Sequence, residues 1–214
     1  MIIENARFKK NQRYLIFDTE TEGLNLAYHR PFQLSWIVCD NFKILETHNR
    51  YLYWKDLKIS DGAKKITNFN YSFYKEKAED PSVVYKDFEK YLLSDDTINV
   101  CQNILNFDCY IIKNLQKSLN NKTDFSFLKR SVDTKCLFLA MQKGIIYNEK
   151  YTFLEWQYKL SNLHEKGLKS SQSFMLNYFD IDHDKSKLHD ALYDITMLYE
   201  IFKKLSNKIA IPFL

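Results

Sequence analysis

The first apolar stretch of the chain ends abruptly in acidic residues. Residues 14–17 are all apolar or aromatic, and Asp18, Thr19 and Glu20 follow them directly. Such an unbroken run predicts a strand that is buried on both faces. Residues two apart on a strand point to the same side, so Asp18 and Glu20 would lie together where the strand leaves the core. Two carboxylates in a poorly solvated place repel each other, and a divalent cation between them would relieve the repulsion. A D-x-E motif alone is more often a solvated acidic turn, so the case for a cation depends on the rest of the chain.

Strand-like stretches come first in the rest of the chain, and helical stretches come later. Residues 32–39 and 44–54 predict two more strands, and residues 97–101 predict a short one. Apolar stripes at helical spacing predict helices after Asp80, over about 107–119, from about 133, over 151–160, over 171–178 and over about 190–205. A hairpin meander that is followed by alternating strands and helices predicts an α/β protein, in which helices flank a mixed sheet.

Two of the predicted helices each place a carboxylate on their apolar side. Asp108 lies on the stripe of the helix at 107–119, and Asp194 lies on the stripe of the last helix. A buried aspartate needs backbone amides, a basic partner or a metal ion, because an unpaired buried charge is costly. Together with Asp18 and Glu20, four acids from three elements would point toward one edge of the core. A pair of Mg²⁺ or Mn²⁺ ions would neutralise them.

One histidine lies close to this acidic set in the sequence. His189 precedes Asp194 by five residues, which corresponds to about 500° of helical rotation, so the two side chains would not share a helix face. We therefore expect His189 on a loop just before the last helix, reaching over the acids. A histidine in that place would take a proton from water near neutral pH.

Composition limits the kind of protein more than it identifies the function. The 214 residues include only 4 Gly and 3 Pro and no repeat, so we expect one domain over residues 1–214. The net charge of +4 is compatible with nucleic-acid binding without demonstrating it. The four cysteines have neither disulfide nor C-x-x-C spacing, which predicts free thiols in a reducing compartment. No stretch is long and apolar enough to span a membrane, so we expect a cytoplasmic protein that does not contact membranes.

Three short motifs together resemble those of the DEDD superfamily of 3′→5′ exonucleases, in its DnaQ-like branch. Residues 17–24 are close to the family pattern D-T-E-T-x-G-L, residues 102–108 resemble H-N-x-x-F-D, and residues 189–194 match H-x-A-x-x-D. Histidine five residues before the last aspartate is typical of the histidine-type (DEDDh) branch. The resemblance extends over roughly residues 14–205. It implies a ribonuclease H-like fold, in agreement with the α/β pattern.

The resemblance also implies a role for individual residues. Two metal ions, Mg²⁺ or Mn²⁺, would be held by the four acids Asp18, Glu20, Asp108 and Asp194. His189 would be the general base. Three further positions correspond to residues near the terminal nucleotide, where Leu24 would pack against the base: Thr19, Leu24 and Asn103.

The chain departs from the family pattern at three positions. Gln102 stands where histidine is usual, Asn106 is an added residue, and Glu22 would place an extra negative charge beside the site. Residues 141–173 match no feature of the family. These departures leave the catalytic set intact and concern the placement of the substrate.

The implied activity is the release of nucleoside 5′-monophosphates from the 3′ ends of single-stranded DNA or RNA. A polymerase or another nucleic-acid-processing protein would be a fitting partner. Three alternatives stay open: a non-catalytic nucleic-acid-binding module, a phosphodiesterase that acts on very short oligonucleotides, and a purely structural domain. No motif contacts the 2′ position of the sugar, so the sequence leaves the choice between DNA and RNA open. The oligomeric state is open as well.

Overall fold

A mixed sheet of six strands runs through the part of the protein that the computed structural model describes, residues 12–209. Residues 1–11 and 210–214, which belong to the predicted domain, lie outside this part. The strands are β1 (Arg13–Thr21), β2 (Pro31–Asp40), β3 (Lys43–Leu52), β4 (Ala78–Glu79), β5 (Thr97–Cys101) and β6 (Ser131–Asp133). Their order is β4-β3-β2-β1-β5-β6, with β1, β2 and β3 antiparallel and with β5 and β6 parallel to β1. The predicted α/β class and mixed sheet are confirmed.

Eight α-helices flank this sheet within the described residues. They are α1 (Asp61–Thr67), α2 (Tyr71–Lys77), α3 (Pro81–Leu92), α4 (Asp108–Ser118), α5 (Thr134–Lys143), α6 (Phe153–Ser161), α7 (Gln172–Tyr178) and α8 (Ala191–Ser206). The last six lie where the sequence predicts helices. No element was predicted for α1 and α2, because α1 buries none of its residues and α2 buries only Tyr74, so neither helix carries an apolar stripe.

The strand β1 is the centre of the core, as its sequence predicts. The four side chains from Tyr14 to Phe17 are fully buried, and burial of each contributes roughly 1.5–3 kcal/mol. Phe17 packs edge-on against Phe88 of α3, with 5.2 Å between ring centroids, and Tyr14 packs against Phe202 of α8 at 5.3 Å. Helices therefore cover both faces of β1. The paired register with β5 ends at Ile16, so the acidic residues that follow extend beyond it.

The remaining sequence expectations concern cysteines and membrane segments. All four cysteines are buried and free, as their spacing predicts. None of the helices in the described chain combines the length and the apolar character that crossing a membrane would require.

Candidate active site

Three elements bring the four predicted carboxylates together. Asp18 and Glu20 lie near the end of β1, Asp108 is the first residue of α4, and Asp194 lies in the first turn of α8. Carboxylate oxygens of Asp18, Glu20 and Asp194 lie within 4.8 Å of one another, and Asp18 lies within the same distance of Asp108. Asp18 is thus the member that links the half-buried part of the cluster, Glu20 and Asp194, to its buried part, Asp108.

No basic side chain neutralises this cluster in the described part of the chain, where none of the four carboxylates forms a salt bridge. Burial, followed by repulsion from neighbouring carboxylates, raises the pKa of Asp18 well above its usual range and that of Glu20 to about 9. Burial also raises the pKa of Asp108 and of Asp194 to about 6. The raised pKa values mean that, without a cation, these carboxyl groups bind protons more readily than ordinary carboxyl groups do. A set of oxygen donors in this state fits Mg²⁺ or Mn²⁺.

Two short side chains lie against the buried member, Asp108. The hydroxyl of Thr19 donates a hydrogen bond to Asp108 at 2.8 Å, and the thiol of Cys101, which donates to the backbone carbonyl of Gln102 at 3.8 Å, lies beside the same carboxylate. Burial holds the pKa of Cys101 well above its usual range, so the group stays a neutral donor. Its sulfur lies within 4.8 Å of oxygens of both Asp18 and Asp108. The sequence indicates a buried thiol at Cys101 but not its place beside the acids.

A cavity of about 260 Å³ opens over the cluster. Its lining consists of Asp18, Thr19, Glu20, Ser171, Gln172, Ser173, Leu188, His189 and Asp194. Four of the five predicted catalytic residues therefore face one space, and Asp108 lies behind Thr19. We call this space the carboxylate cavity.

His189 lies on the loop before α8, as expected from its spacing. Its backbone has a φ of +73°, a left-handed conformation that histidine adopts more readily than most residues. Its backbone N–H donates to Oδ2 of Asp194 at 3.0 Å. The side chain is exposed and lines the carboxylate cavity. The same backbone that carries the histidine thus orients one of the acids.

Comparison with known protein families identifies the chain. The sequence profile of the RNase_T family, described as "Exonuclease", matches residues 15–202. The chain belongs to this exonuclease family. The three motifs at residues 17–24, 102–108 and 189–194 all lie within the matched residues.

Solved structures and a curated relative agree with this assignment. The fold is similar to that of E. coli exonuclease I in complex with a dA16 oligonucleotide, with a TM-score of 0.72 and 19% identity over 92% of this chain and 41% of that chain. The apo form of exonuclease I gives a TM-score of 0.71 at 18% identity, over 92% of this chain and 42% of that one. The DNA polymerase III PolC-type of Ureaplasma parvum serovar 3 is 20% identical over 205 residues, 93% of this chain. The chain spans only 12% of the length of that polymerase.

Two of the residues that the exonuclease resemblance assigns to the substrate lie outside the lining of the carboxylate cavity. Leu24 is 82% exposed, on the loop that follows β1. Gly23 before it has a φ of +157°, and a Cβ there would lie 2.6 Å from the ring of His29, so this turn requires glycine. Asn103 instead accepts a hydrogen bond from Nζ of Lys135 at 2.9 Å.

The expectation that Glu22 adds a negative charge beside the exonuclease site is wrong. Glu22 is only 4% exposed, and it forms a salt bridge with Arg30, with 2.6 Å between Oε1 and Nη2. The backbone N–H of Arg30 donates to the same carboxylate at 2.8 Å. The charge of Glu22 is therefore paired. The sequence could not reveal this, because the pairing depends on the path of the loop between them.

Asp133 is a buried carboxylate that the sequence does not single out. It is fully buried and accepts hydrogen bonds from the backbone N–H groups of Asn103 at 2.9 Å, Leu105 at 3.3 Å and Lys135 at 3.0 Å. Backbone amides alone satisfy the carboxylate of Asp133. This is the arrangement that the sequence analysis weighed against metal binding for Asp108 and Asp194. Asp133 holds the second exonuclease motif against the start of α5.

Gln172 is a second residue that the sequence does not single out. Its side-chain amide donates to the backbone carbonyl of Asp194 at 2.9 Å and lies 3.4 Å from Oδ1 of the same residue. It therefore orients Asp194 together with the backbone N–H of His189. Neither a motif nor the apolar stripe of its helix marks this polar residue, which is the first of α7.

The metal-free protein is expected to lose stability as the pH rises. In the unfolded chain, carboxyl groups have pKa values of about 4. Because the folded protein binds protons more tightly, protonation of these groups makes its full contribution to the free energy of unfolding below about pH 4. That contribution is lost as the pH rises through about 6 for Asp108 and Asp194, and through about 9 for Glu20. In EDTA the melting temperature should fall from about pH 5 to about pH 9, and Mn²⁺ should reverse the fall.

The isosteric variant Asp18→Asn tests the same repulsion. It should raise the metal-free melting temperature at pH 8 and should lose the response to Mn²⁺. The matched control is Asp182→Asn, which changes an exposed carboxylate outside the cluster. If both variants melt alike with and without Mn²⁺, the cluster does not hold a cation.

Gln172→Leu is expected to weaken Mn²⁺ binding about 10–100-fold, the usual effect of removing a group that orients a metal ligand. Calorimetric titration with Mn²⁺ measures the change. Gln142→Leu is the control, because Gln142 donates to the backbone carbonyl of Lys169 and lies outside the lining of the carboxylate cavity. Equal affinities in the two variants would show that Gln172 does not orient Asp194.

Proposed function

We propose that this chain is a divalent-metal-dependent 3′→5′ exonuclease that releases nucleoside 5′-monophosphates from the ends of single-stranded nucleic acid. The observation that carries the proposal is the convergence of Asp18, Glu20 and Asp194 with His189 on one cavity, with Asp108 directly behind it. We propose further that residues 1–214 belong to one exonuclease domain, because the family match extends over residues 15–202 and the helices that flank the sheet continue to Ser206.

Asp18, Glu20, Asp108 and Asp194 would hold two divalent ions, for which their oxygen-rich arrangement is suited. When bound, such a pair supplies Lewis-acid stabilisation to the attacking and leaving oxygens of an in-line displacement. Asp18 would serve both ions, and its distance of at most 4.8 Å from the other members supports this role.

His189 is proposed as the general base. Its ring lines the cavity, and its backbone N–H is anchored to Asp194, so the ring is held near the carboxylates. It takes a proton from the water whose oxygen attacks the last phosphodiester. The bond between phosphorus and the 3′-oxygen breaks, and this oxygen leaves with the shortened strand and takes up a proton. The product is a nucleoside 5′-monophosphate.

We propose single-stranded DNA as the preferred substrate. The related exonuclease I structures include complexes with dA16 and other oligonucleotides, and the curated relative is a DNA polymerase. The similarity to a part of that polymerase supports a role in proofreading. Leu24, which is 82% exposed beside the strand end, is proposed to pack against the terminal base. Thr19 and Asn103 are proposed to lie near the same nucleotide.

A non-catalytic binding module is the second candidate in principle. Loss of a carboxylate or of the histidine would favour it, and all five residues are present at the cavity or directly behind it. No specific observation on the protein favours the module or the short-oligonucleotide phosphodiesterase over the exonuclease.

Matched 5′-labelled and 3′-labelled strands of DNA and RNA test the proposal in Mg²⁺, in Mn²⁺ and in EDTA. We expect a metal-dependent ladder from the 5′ label and mononucleotide from the 3′ label, with DNA cleaved faster than RNA. Mononucleotide from the 5′ label would contradict the direction. Binding without cleavage would instead support the module.

Asp18→Ala is expected to reduce the rate by at least about 10³-fold, because it removes the carboxylate that serves both ions. His189→Ala should reduce the rate by about 10²–10⁴-fold, the usual share of a general base. The two differ in rescue: imidazole should restore part of the activity of His189→Ala and none of that of Asp18→Ala. Activity in His189→Ala equal to that of the unchanged protein would remove His189 from this role.

A further inference from the structure

The loop between α6 and α7 is attached to the second exonuclease motif by the two residues in which that motif departs from the family. Nε2 of Gln102 donates to the backbone carbonyl of Ser170 at 2.8 Å, and Nδ2 of Asn106 donates to that of Ser161 at 3.4 Å. Thr134 at the start of α5 in turn donates to Oε1 of Gln102 at 2.5 Å. The departures therefore have a structural role, which is to hold residues 161–170 beside the site.

This loop and α5 enclose a cavity of about 450 Å³ that is rich in positive charge. Lys135, Lys166 and His164 line it, and Glu165 is the one acidic residue in its lining. Glu165 is paired with Lys143 by a salt bridge, so its charge does not cancel those of the two lysines. We call this space the basic cavity.

The basic cavity adjoins the carboxylate cavity. Ser170 lines the basic cavity and the next residue, Ser171, lines the carboxylate cavity. Nζ of Lys135 donates to Oδ1 of Asn103 in the second motif at 2.9 Å. An ammonium group has three N–H donors, and this is the one hydrogen bond that Lys135 Nζ makes among the described residues, so the others can meet a phosphate.

We propose that the basic cavity binds the backbone phosphates of the strand on the 5′ side of the cleaved bond. The inference rests on the proposed function. It adds to that function the path that the substrate strand follows on the protein. Lysine ammonium groups act as point charges that accept a phosphate in many orientations. Contacts of this kind are independent of sequence, and they hold a strand whose end changes at every cycle.

The cavity on the other side of His189 is less suited to a row of phosphates. It has a volume of about 300 Å³, and aromatic rings including those of Phe32, Tyr51 and Phe69 line it. Its charged residues, Lys187 and Asp190, carry opposite signs. Because phosphates need cations that are not cancelled, the basic cavity is the better path for the strand.

The test compares a thymidine dinucleotide with a twelve-nucleotide thymidine strand as substrates of the full chain. The variants are Lys135→Gln, Lys166→Gln and the double variant. Lys204→Gln is the control, because this exposed lysine lies ten residues after Asp194 in α8, or about 15 Å along the helix axis. Lys135→Arg keeps the charge, and thermal melting shows whether each variant is folded.

We expect each of the two single variants to lower the ratio of kcat/KM for the long strand to that for the dinucleotide by about threefold to tenfold. The dependence of long-strand binding on salt should weaken by about 0.7 in logarithmic slope for each lysine removed. Lys135→Arg should retain most of the ratio. A folded double variant with the ratio and the salt slope of Lys204→Gln would overturn the proposal.

Binding of the labelled long strand in EDTA, measured by fluorescence anisotropy, separates this inference from the proposed function. If the unchanged protein binds the strand in EDTA but does not cleave it in Mg²⁺ or Mn²⁺, the proposed exonuclease fails, while the strand path is still judged from the loss of affinity in the double variant. If the unchanged protein neither cleaves nor binds, both are overturned.

Discussion

Repulsion among four carboxylates that share one buried edge is the constraint on which the rest of the site depends. Burial and the neighbouring charges raise the pKa of Asp18 well above its usual range and that of Glu20 to about 9. The core of the protein holds these groups in place against that repulsion. Tyr14 to Phe17 anchor the strand that carries two of them, and α4 and α8 bring one each. The fold therefore stores an unfavourable arrangement that cation binding relieves.

Other buried acids of the same protein show what satisfied carboxylates look like. Glu22 is paired with Arg30 at 2.6 Å, and Asp133 accepts three backbone N–H groups. The four clustered acids have neither a basic partner within the described chain nor a comparable set of amides, although Asp108 and Asp194 each accept hydrogen bonds that orient them. This contrast separates the acids that stabilise the fold from the acids that are suited to hold metal ions.

The sequence was sufficient to predict those parts of the fold and of the site that local patterns determine. The apolar run at residues 14–17, the stripes of the last six helices and the three motifs predicted the mixed sheet and the meeting of the acids. The contacts of Gln172, Cys101 and Asp133 could not be predicted, because they join residues far apart in the chain and leave no periodic trace. The pairing of Glu22 with Arg30 was missed because it depends on the path of the loop between them. The helices α1 and α2 were missed because neither buries a stripe of apolar residues.

Diffraction from a crystal of the protein grown with Mn²⁺ and a nucleoside 5′-monophosphate would test the central claim most directly, because the anomalous signal locates each manganese ion. We expect two manganese peaks roughly 3.5–4 Å apart, both in contact with Asp18, and one of them near Glu20 and Asp194. The phosphate should lie beside them and His189 within reach of it. Full occupancy of the crystal by the nucleotide with no manganese at these carboxylates would contradict the claim that they form a two-metal centre.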